Sequence, residues 1–160
     1  MGEIGFDRKE DWEEVNWLRA GKNYGWPRCM GTNYATYGGS PCPLPDAAPP
    51  WISWIHDGGA NATGGPIYRP TGKASDFPVQ YQGGMFYADW VRKWLRFATV
   101  DPVNNTVLKT EPFARGFTAG IMAMELGPDG ALYLIEYGGW FTPSPQDKLA
   151  RIVWVGDGAK

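Results

Sequence analysis

Residues 84–100 read Gly84-Met85-Phe86-Tyr87-Ala88-Asp89-Trp90-Val91-Arg92-Lys93-Trp94-Leu95-Arg96-Phe97-Ala98-Thr99-Val100. Two runs rich in aromatic and β-branched residues flank a short polar turn, which predicts a β-hairpin. In the second run Leu95, Phe97 and Thr99 point one way and Trp94, Arg96 and Ala98 the other. The pattern returns at Ala131-Leu132-Tyr133-Leu134-Ile135-Glu136 followed by Ala150-Arg151-Ile152-Val153, starting 47 residues later. A spacing near 47 matches the ~40–50-residue period of propeller blades, each a four-stranded antiparallel sheet. The chain therefore reads as all-β, a partial β-propeller of about three four-stranded antiparallel blades. A closed ring typically needs at least about four, so missing blades of a longer chain, or a second copy in a homodimer, would have to complete it.

The remaining strands fit the same plan. Residues 13–18 open a strand or a helical turn. Strands are predicted at 51–55, 66–69, 106–109, 121–126 and 149–155, with a Gly-rich turn region over 56–65. The turn Gly127-Pro128-Asp129-Gly130 makes a hairpin with the run at 131–136. All of 1–160 reads as one domain with a long loop at 27–50, where prolines stand at 27, 41, 43, 45, 49 and 50. Glycine and proline supply 36 of 160 residues, and there are 9 Trp, 8 Tyr and 7 Phe. That composition suits short strands, many turns and flat rings between layers, and not disorder.

Charge removes some classes of function. The formal net charge is -2 and no basic stretch stands out, so no nucleic-acid partner is expected. No apolar run nears the ~20 residues of a membrane span, and Met1-Gly2-Glu3 does not open a leader, so any leader would lie outside this chain. Cys29 and Cys42 sit in the long loop. A disulfide there would contribute roughly 3 kcal/mol and place the protein in an oxidising, extracellular or periplasmic compartment. Two free thiols are the alternative; zinc is disfavoured by a single histidine and no CxxC spacing.

An ordered series of motifs carries a family resemblance: Trp12-Glu13-Glu14-Val15-Asn16 with Asn23-Tyr24-Gly25-Trp26-Pro27, then Thr63-Gly64-Gly65-Pro66-Ile67-Tyr68-Arg69. Tyr81-Gln82-Gly83-Gly84-Met85-Phe86-Tyr87-Ala88-Asp89-Trp90-Val91-Arg92 and Gly127-Pro128-Asp129-Gly130-Ala131-Leu132-Tyr133 complete it. Over nearly its whole length the chain resembles the C-terminal part of the soluble PQQ-dependent glucose/sorbosone dehydrogenase family. Its members are six-bladed propellers that oxidise sugars with pyrroloquinoline quinone and calcium. The resemblance implies backbone carbonyls near Gly5 facing the cofactor-side calcium. It implies a structural calcium at Glu14 and the carbonyl of Tyr24, where oxygen donors suit a hard cation; otherwise Glu14 is a solvated strand residue. It also implies losses. The family's catalytic histidine would lie in an earlier blade. Its cofactor-binding lysine is matched by Val91, beside Arg92, and its two arginines by the uncharged Gly120-Ile121-Met122-Ala123. A tricarboxylate needs charge-assisted partners, so the chain is expected to be incomplete for quinone catalysis.

Read from the residues alone, the candidate catalytic group is His56 with Asp57, near the Thr63 hydroxyl, for general-base work on a sugar or polymer. Loop hydrogen bonding is the plainer role for that lone histidine. Asp76, Asp89 and Asp101 are expected to cap turns, not to form a hydrolytic pair. No GxSxG, P-loop or GxGxxG occurs. Tyr34, Tyr37, Trp51, Trp140 and Phe141 occupy or border loops and suit stacking on sugar faces, while Trp54 and Trp94 belong to blade packing. Asn61-Ala62-Thr63 and Asn104-Asn105-Thr106 match glycosylation sequons, which are common by chance. Three functions follow as expectations: a sugar-dehydrogenase-like propeller portion, a carbohydrate-binding module using loop aromatics, or a polymer hydrolase with its site near His56.

Overall fold

The computed structural model describes residues 1–6, 8–31, 34–35, 42–139 and 142–156, with 34–35 as backbone only. Tyr37, Ser40, Trp140 and Phe141 lie outside the described residues, as does the side chain of Tyr34. The described chain is all-β apart from one 3-10 turn at Val79–Tyr81. Its strands are β1 (Gly2–Glu3), β2 (Trp12–Val15), β3 (Cys29–Met30), β4 (Tyr34–Ala35), β5 (Ile52–Ile55) and β6 (Ala62–Ile67). They continue with β7 (Met85–Asp89), β8 (Trp94–Asp101), β9 (Thr106–Ala114), β10 (Gly120–Leu126), β11 (Leu132–Tyr137) and β12 (Lys148–Ile152). No helix among them is long and apolar enough to cross a membrane.

All strand pairs inside the sheets are antiparallel. The orders are β1-β2-β5, β6-β7-β8-β9 and β10-β11-β12, with β3-β4 a small hairpin inside the long loop. The three-blade plan holds, although only the middle sheet has four strands. In the first, the chain between β2 and β5 is spent on the long loop instead of a fourth strand. The hairpins at β7-β8 and β11-β12 are the two echoing units read from the sequence.

Adjacent sheets pack through faces set by period-two alternation. Along β7, Met85 and Tyr87 face the first sheet, where they join Val15, Ala98, Trp54 and Trp94. Phe86 and Ala88 face the third sheet and meet Leu95, Phe97, Ile121, Leu132 and Leu134. Phe86 stacks obliquely on Phe97 at 5.1 Å and edge-on to Phe113 at 4.8 Å, geometries that suit the ring quadrupole. Trp54 and Trp94 lie 5.2 Å apart in the first interface, as expected of blade-packing rings.

Two sequence expectations are corrected here. The strand predicted at 66–69 starts at Ala62, so Thr63, Gly64 and Gly65 are strand residues and not part of a turn. The two glycines lack bulk because β6 lies against β1 and β10: a Cβ on Gly64 would collide with the backbone of Met1 and Gly2, and one on Gly65 with Met124 and the Phe86 carbonyl. The strand predicted at 106–109 runs on to Ala114, since its partner β8 is long enough to pair with all of it. Asp76, Asp89 and Asp101 do cap turns, accepting from the backbone N–H of Thr71, Arg92 and Val103 respectively.

Gly84 precedes β7, with the Phe97 ring and the Ala98 carbonyl where a Cβ would stand. Gly84→Ala is therefore expected to destabilise the protein by about 1–3 kcal/mol through overpacking. Urea denaturation reads this as a lower midpoint; an unchanged midpoint would mean that the ring and carbonyl give way at no cost.

Candidate functional site

β2 presents two adjacent acids, Glu13 and Glu14, to opposite faces of the first sheet, and both are buried. An isolated buried carboxylate is costly unless it is hydrogen-bonded. Glu13 meets that need fully. Its Oε2 accepts from the Ala62 N–H at 2.7 Å, and its Oε1 from the Gly5 N–H at 3.3 Å. The same Oε1 lies 2.9 Å from His56 Nδ1. One carboxylate thus joins the segment after β1, the loop after β5 and the first residue of β6.

His56 is only 4% exposed. Its N–H donates to the Asp11 carbonyl, and its carbonyl accepts from Arg92 Nη2 at 2.7 Å. That nitrogen also donates to the Ile55 carbonyl at 2.9 Å, and Arg92 Nη1 lies 3.9 Å from Asp89. Trp54 Nε1 and the Arg92 N–H hold the Asp89 carboxylate, whose pKa burial nonetheless raises. At this end of the sheets the structure brings together Gly5, His56 and Arg92 from the expected set. Asp57 stands apart. It is an exposed turn residue at φ 43, and its N–H donates to the Lys9 carbonyl. The Thr63 hydroxyl is buried and donates to the Ile121 carbonyl, so it ties β6 to β10 and has no hydrogen bond to His56.

Glu14 is 2% exposed, which rules out a solvated strand residue. Its Oε1 accepts from the Gly31 N–H and its Oε2 from Asn16 Nδ2 at 3.1 Å. Asn16 Nδ2 also reaches Glu3 Oε2 at 3.4 Å, and Glu3 is the register partner of Glu14 across β1-β2. Burial, with the charges of Glu3 and Glu13 adding to it, pushes Glu14 up to about 7 despite the Asn16 and Gly31 hydrogen bonds. Burial raises Glu3 as well. Glu3 Oε1 and Asn16 Oδ1 are buried without a hydrogen-bond partner among the described residues. Tyr24 is half-buried just ahead of the long loop, its hydroxyl donating to the Trp17 carbonyl and accepting from the Arg19 N–H. Gly31, inside that loop, is the residue that reaches Glu14. Cys29 and Cys42 are joined in a disulfide that closes this loop.

Sequence reasoning missed Glu13, Glu3 and Asn16. The available signal was the Glu13-Glu14 pair itself. In a four-residue strand inside a blade, two consecutive acids cannot both face solvent.

A model of the Glucose / Sorbosone dehydrogenase family matches residues 3–139. A search of curated proteins finds no match. Among solved structures, a glucose dehydrogenase aligns at 22% identity with a TM-score of 0.65, over 94% of this chain and 39% of that one. A putative oxidoreductase (glucose dehydrogenase) from Thermus thermophilus aligns at 24% identity and TM-score 0.63, over 94% and 38%. A further glucose dehydrogenase aligns at 23% identity and TM-score 0.60, over 92% and 40%. At these identities the likeness establishes the propeller fold alone. The chain spans about two fifths of the length of these structures.

Glu13→Ala would leave the Gly5 N–H, the Ala62 N–H and His56 Nδ1 without their acceptor. The expected loss is roughly 3 kcal/mol or more, with Glu13→Gln milder because one amide oxygen remains to accept. Chemical denaturation of the two variants checks the order.

Proposed function

The chain belongs to the glucose/sorbosone dehydrogenase family, and from that premise we propose that it forms part of the wall of a sugar-oxidising β-propeller, with His56 facing the sugar's side of the ring. The observation that carries this reading is the buried Glu13–His56 pair at the end of the sheets where Gly5 and Arg92 also meet. Oxidation of a sugar CH–OH group removes a hydride and a proton. Held by Glu13 at Nδ1, the imidazole would be the group that exchanges the hydroxyl proton. Glu13 would act as the positioning residue that fixes the tautomer. The neighbouring Asp57 is exposed and has no part in this pair.

The residues do not fit the family's quinone. A tricarboxylate calls for several charge-assisted partners, yet Arg92 is already spent on two carbonyls and Asp89. The stretch Gly120-Ile121-Met122-Ala123 carries no cation. No step through the quinone is therefore assigned to this chain, and turnover requires the rest of the ring, from a longer chain or a second copy. The isolated chain, given pyrroloquinoline quinone, calcium, an aldose and a dye acceptor, is expected to reduce no dye. Dye reduction that disappears in His56→Ala would overturn that expectation.

Calcium fits better. Glu14 and Glu3 oppose each other across a strand pair, and two buried oxygens, Glu3 Oε1 and Asn16 Oδ1, lack partners among the described residues. Such oxygen donors suit a hard divalent cation. Glu14 and the carbonyl of Tyr24 would hold the ion, with Glu3 and Asn16 beside them, and its charge would offset the buried carboxylates. The disulfide favours an oxidising, extracellular or periplasmic setting. Millimolar calcium is expected to raise the melting temperature by roughly 5 °C or more, as saturating binding to the folded state does. Glu14→Gln should abolish the shift; a wild-type protein indifferent to calcium would count against the site.

A further inference from the structure

The opposite end of the sheets, away from His56, carries a groove that the dehydrogenase reading does not use. Trp17 lies two residues beyond the end of β2, Trp51 directly precedes β5, and the β8-β9 turn comes up beside them. The groove has a volume of about 600 Å³ and is lined by Trp17, Trp51, Ile67, Arg69, Gln82 and Asn105, among others. This is the size range of small-ligand sites, about 300–1,000 Å³. Past the two tryptophans it continues into a cleft of about 270 Å³ bordered by Arg19 and Asn104.

Its chemistry differs from that of a packing gap. The rings of Trp17 and Trp51 lie 5.2 Å apart, inclined at 35°, and both are half-buried. Trp54 and Trp90 spend their indole N–H groups on Asp89 and the Tyr137 carbonyl. Those of Trp17 and Trp51 have no hydrogen-bond partner among the described residues, and neither do the side chains of Arg69, Gln82 and Asn105. The ionised side chains lining the two parts are Arg19, whose guanidinium lies 5.4 Å from the Trp17 ring, and Arg69. Among the described residues no carboxylate lines either part. Nearby Asp101 is consumed by its own turn, accepting from Val103 and Asn104.

We propose that this groove binds an anionic saccharide, a chain of sugars bearing carboxylates. An aromatic floor matches the apolar C–H face of a pyranose, and the unspent amides and indole N–H groups match its hydroxyls. Two arginines without a facing acid among the described residues match a carboxylate, which a guanidinium can grip with two parallel hydrogen bonds. Two cations are too few for a nucleic-acid backbone on a chain of net charge -2. The site lies at the other end of the strands from His56, so its failure and that of the dehydrogenase reading are separable.

Calorimetric titration with an oligogalacturonate, and with cellohexaose as the neutral probe, tests the assignment. Oligogalacturonate is expected to bind, to weaken as salt is raised, and to outbind cellohexaose about tenfold or more, the worth of a charge-assisted hydrogen bond. Arg69→Gln, an exposed position, should cost about that factor and reduce the salt dependence, leaving the part that Arg19 contributes. Trp51→Ala should cost at least as much, and Trp51→Phe, which keeps a ring with no N–H, should lose less; circular dichroism checks that both remain folded. Equal affinity for cellohexaose would overturn the anionic assignment. No oligogalacturonate binding, or binding untouched by both Arg69→Gln and Trp51→Ala, would overturn the groove itself.

Discussion

The close approach of β6 to β1 on one side and β10 on the other is the constraint from which the rest follows. Strands this near can pack only if side chains are missing between them, and Gly2, Gly64 and Gly65 supply the gaps. Thr63 is the polar exception, its hydroxyl bonded across to the Ile121 carbonyl. The first strands of the three sheets are thereby held together. Between the later strands the interfaces are filled by larger groups: Val15, Tyr87 and Trp54 in one interface, Phe86, Phe97 and Leu134 in the other. Small residues inside and rings outside are thus one solution to one geometric problem, and the convergence brings the loops after β1 and β5 to the same place.

Those loops are stitched by buried carboxylates. Glu13 binds the Gly5 and Ala62 N–H groups, Asp89 the Arg92 N–H, and Glu136 the Thr118 and Ala119 N–H groups. Each acid collects donors that the ends of strands leave over, so its burial is compensated. The group of Glu3, Glu14 and Asn16 is different. There two acids share one amide, and a carboxylate oxygen and an amide oxygen remain unmatched among the described residues. Polar satisfaction is incomplete beside the disulfide-closed loop, and the calcium proposed above would complete it.

How far the sequence could be read depended on whether side chains advertise the backbone. In β7 and β8 large aromatic and aliphatic side chains are dense and flank a polar turn, so the hairpin and its period are visible. In β6 the alternation is erased, because Ala62, Gly64 and Gly65 are small for reasons of packing, and small residues read as a turn. The long loop concealed the β3-β4 hairpin in the same way. His56 was visible as the single histidine, but its partner was not. Asp57, next in sequence, looked like the obvious acid. The real partner, Glu13, lies 43 residues away and meets it only through the β2-β5 register. Of the five aromatic residues that suit stacking on sugar faces, Tyr37, Trp140, Phe141 and the side chain of Tyr34 lie outside the described residues; Trp51 stands beside Trp17, which the sequence did not single out.

That same register explains how one short sheet can carry two unlike sites. In β2 and β5, Trp12 pairs with Ile55 and Val15 with Ile52. At one end the strands run into Asp11 and His56; at the other they run through Asn16 to Trp17 and from Trp51. The four residue pairs between are fixed by backbone hydrogen bonds and by the packing of Val15, so neither end can shift without breaking the ladder. The ends also differ in charge: one buries carboxylates and uses Arg92 to neutralise them, while the other leaves Arg19 and Arg69 without a facing acid among the described residues. The two proposed sites, proton handling at one end and anion capture at the other, would thus be held apart by the strand pair between them.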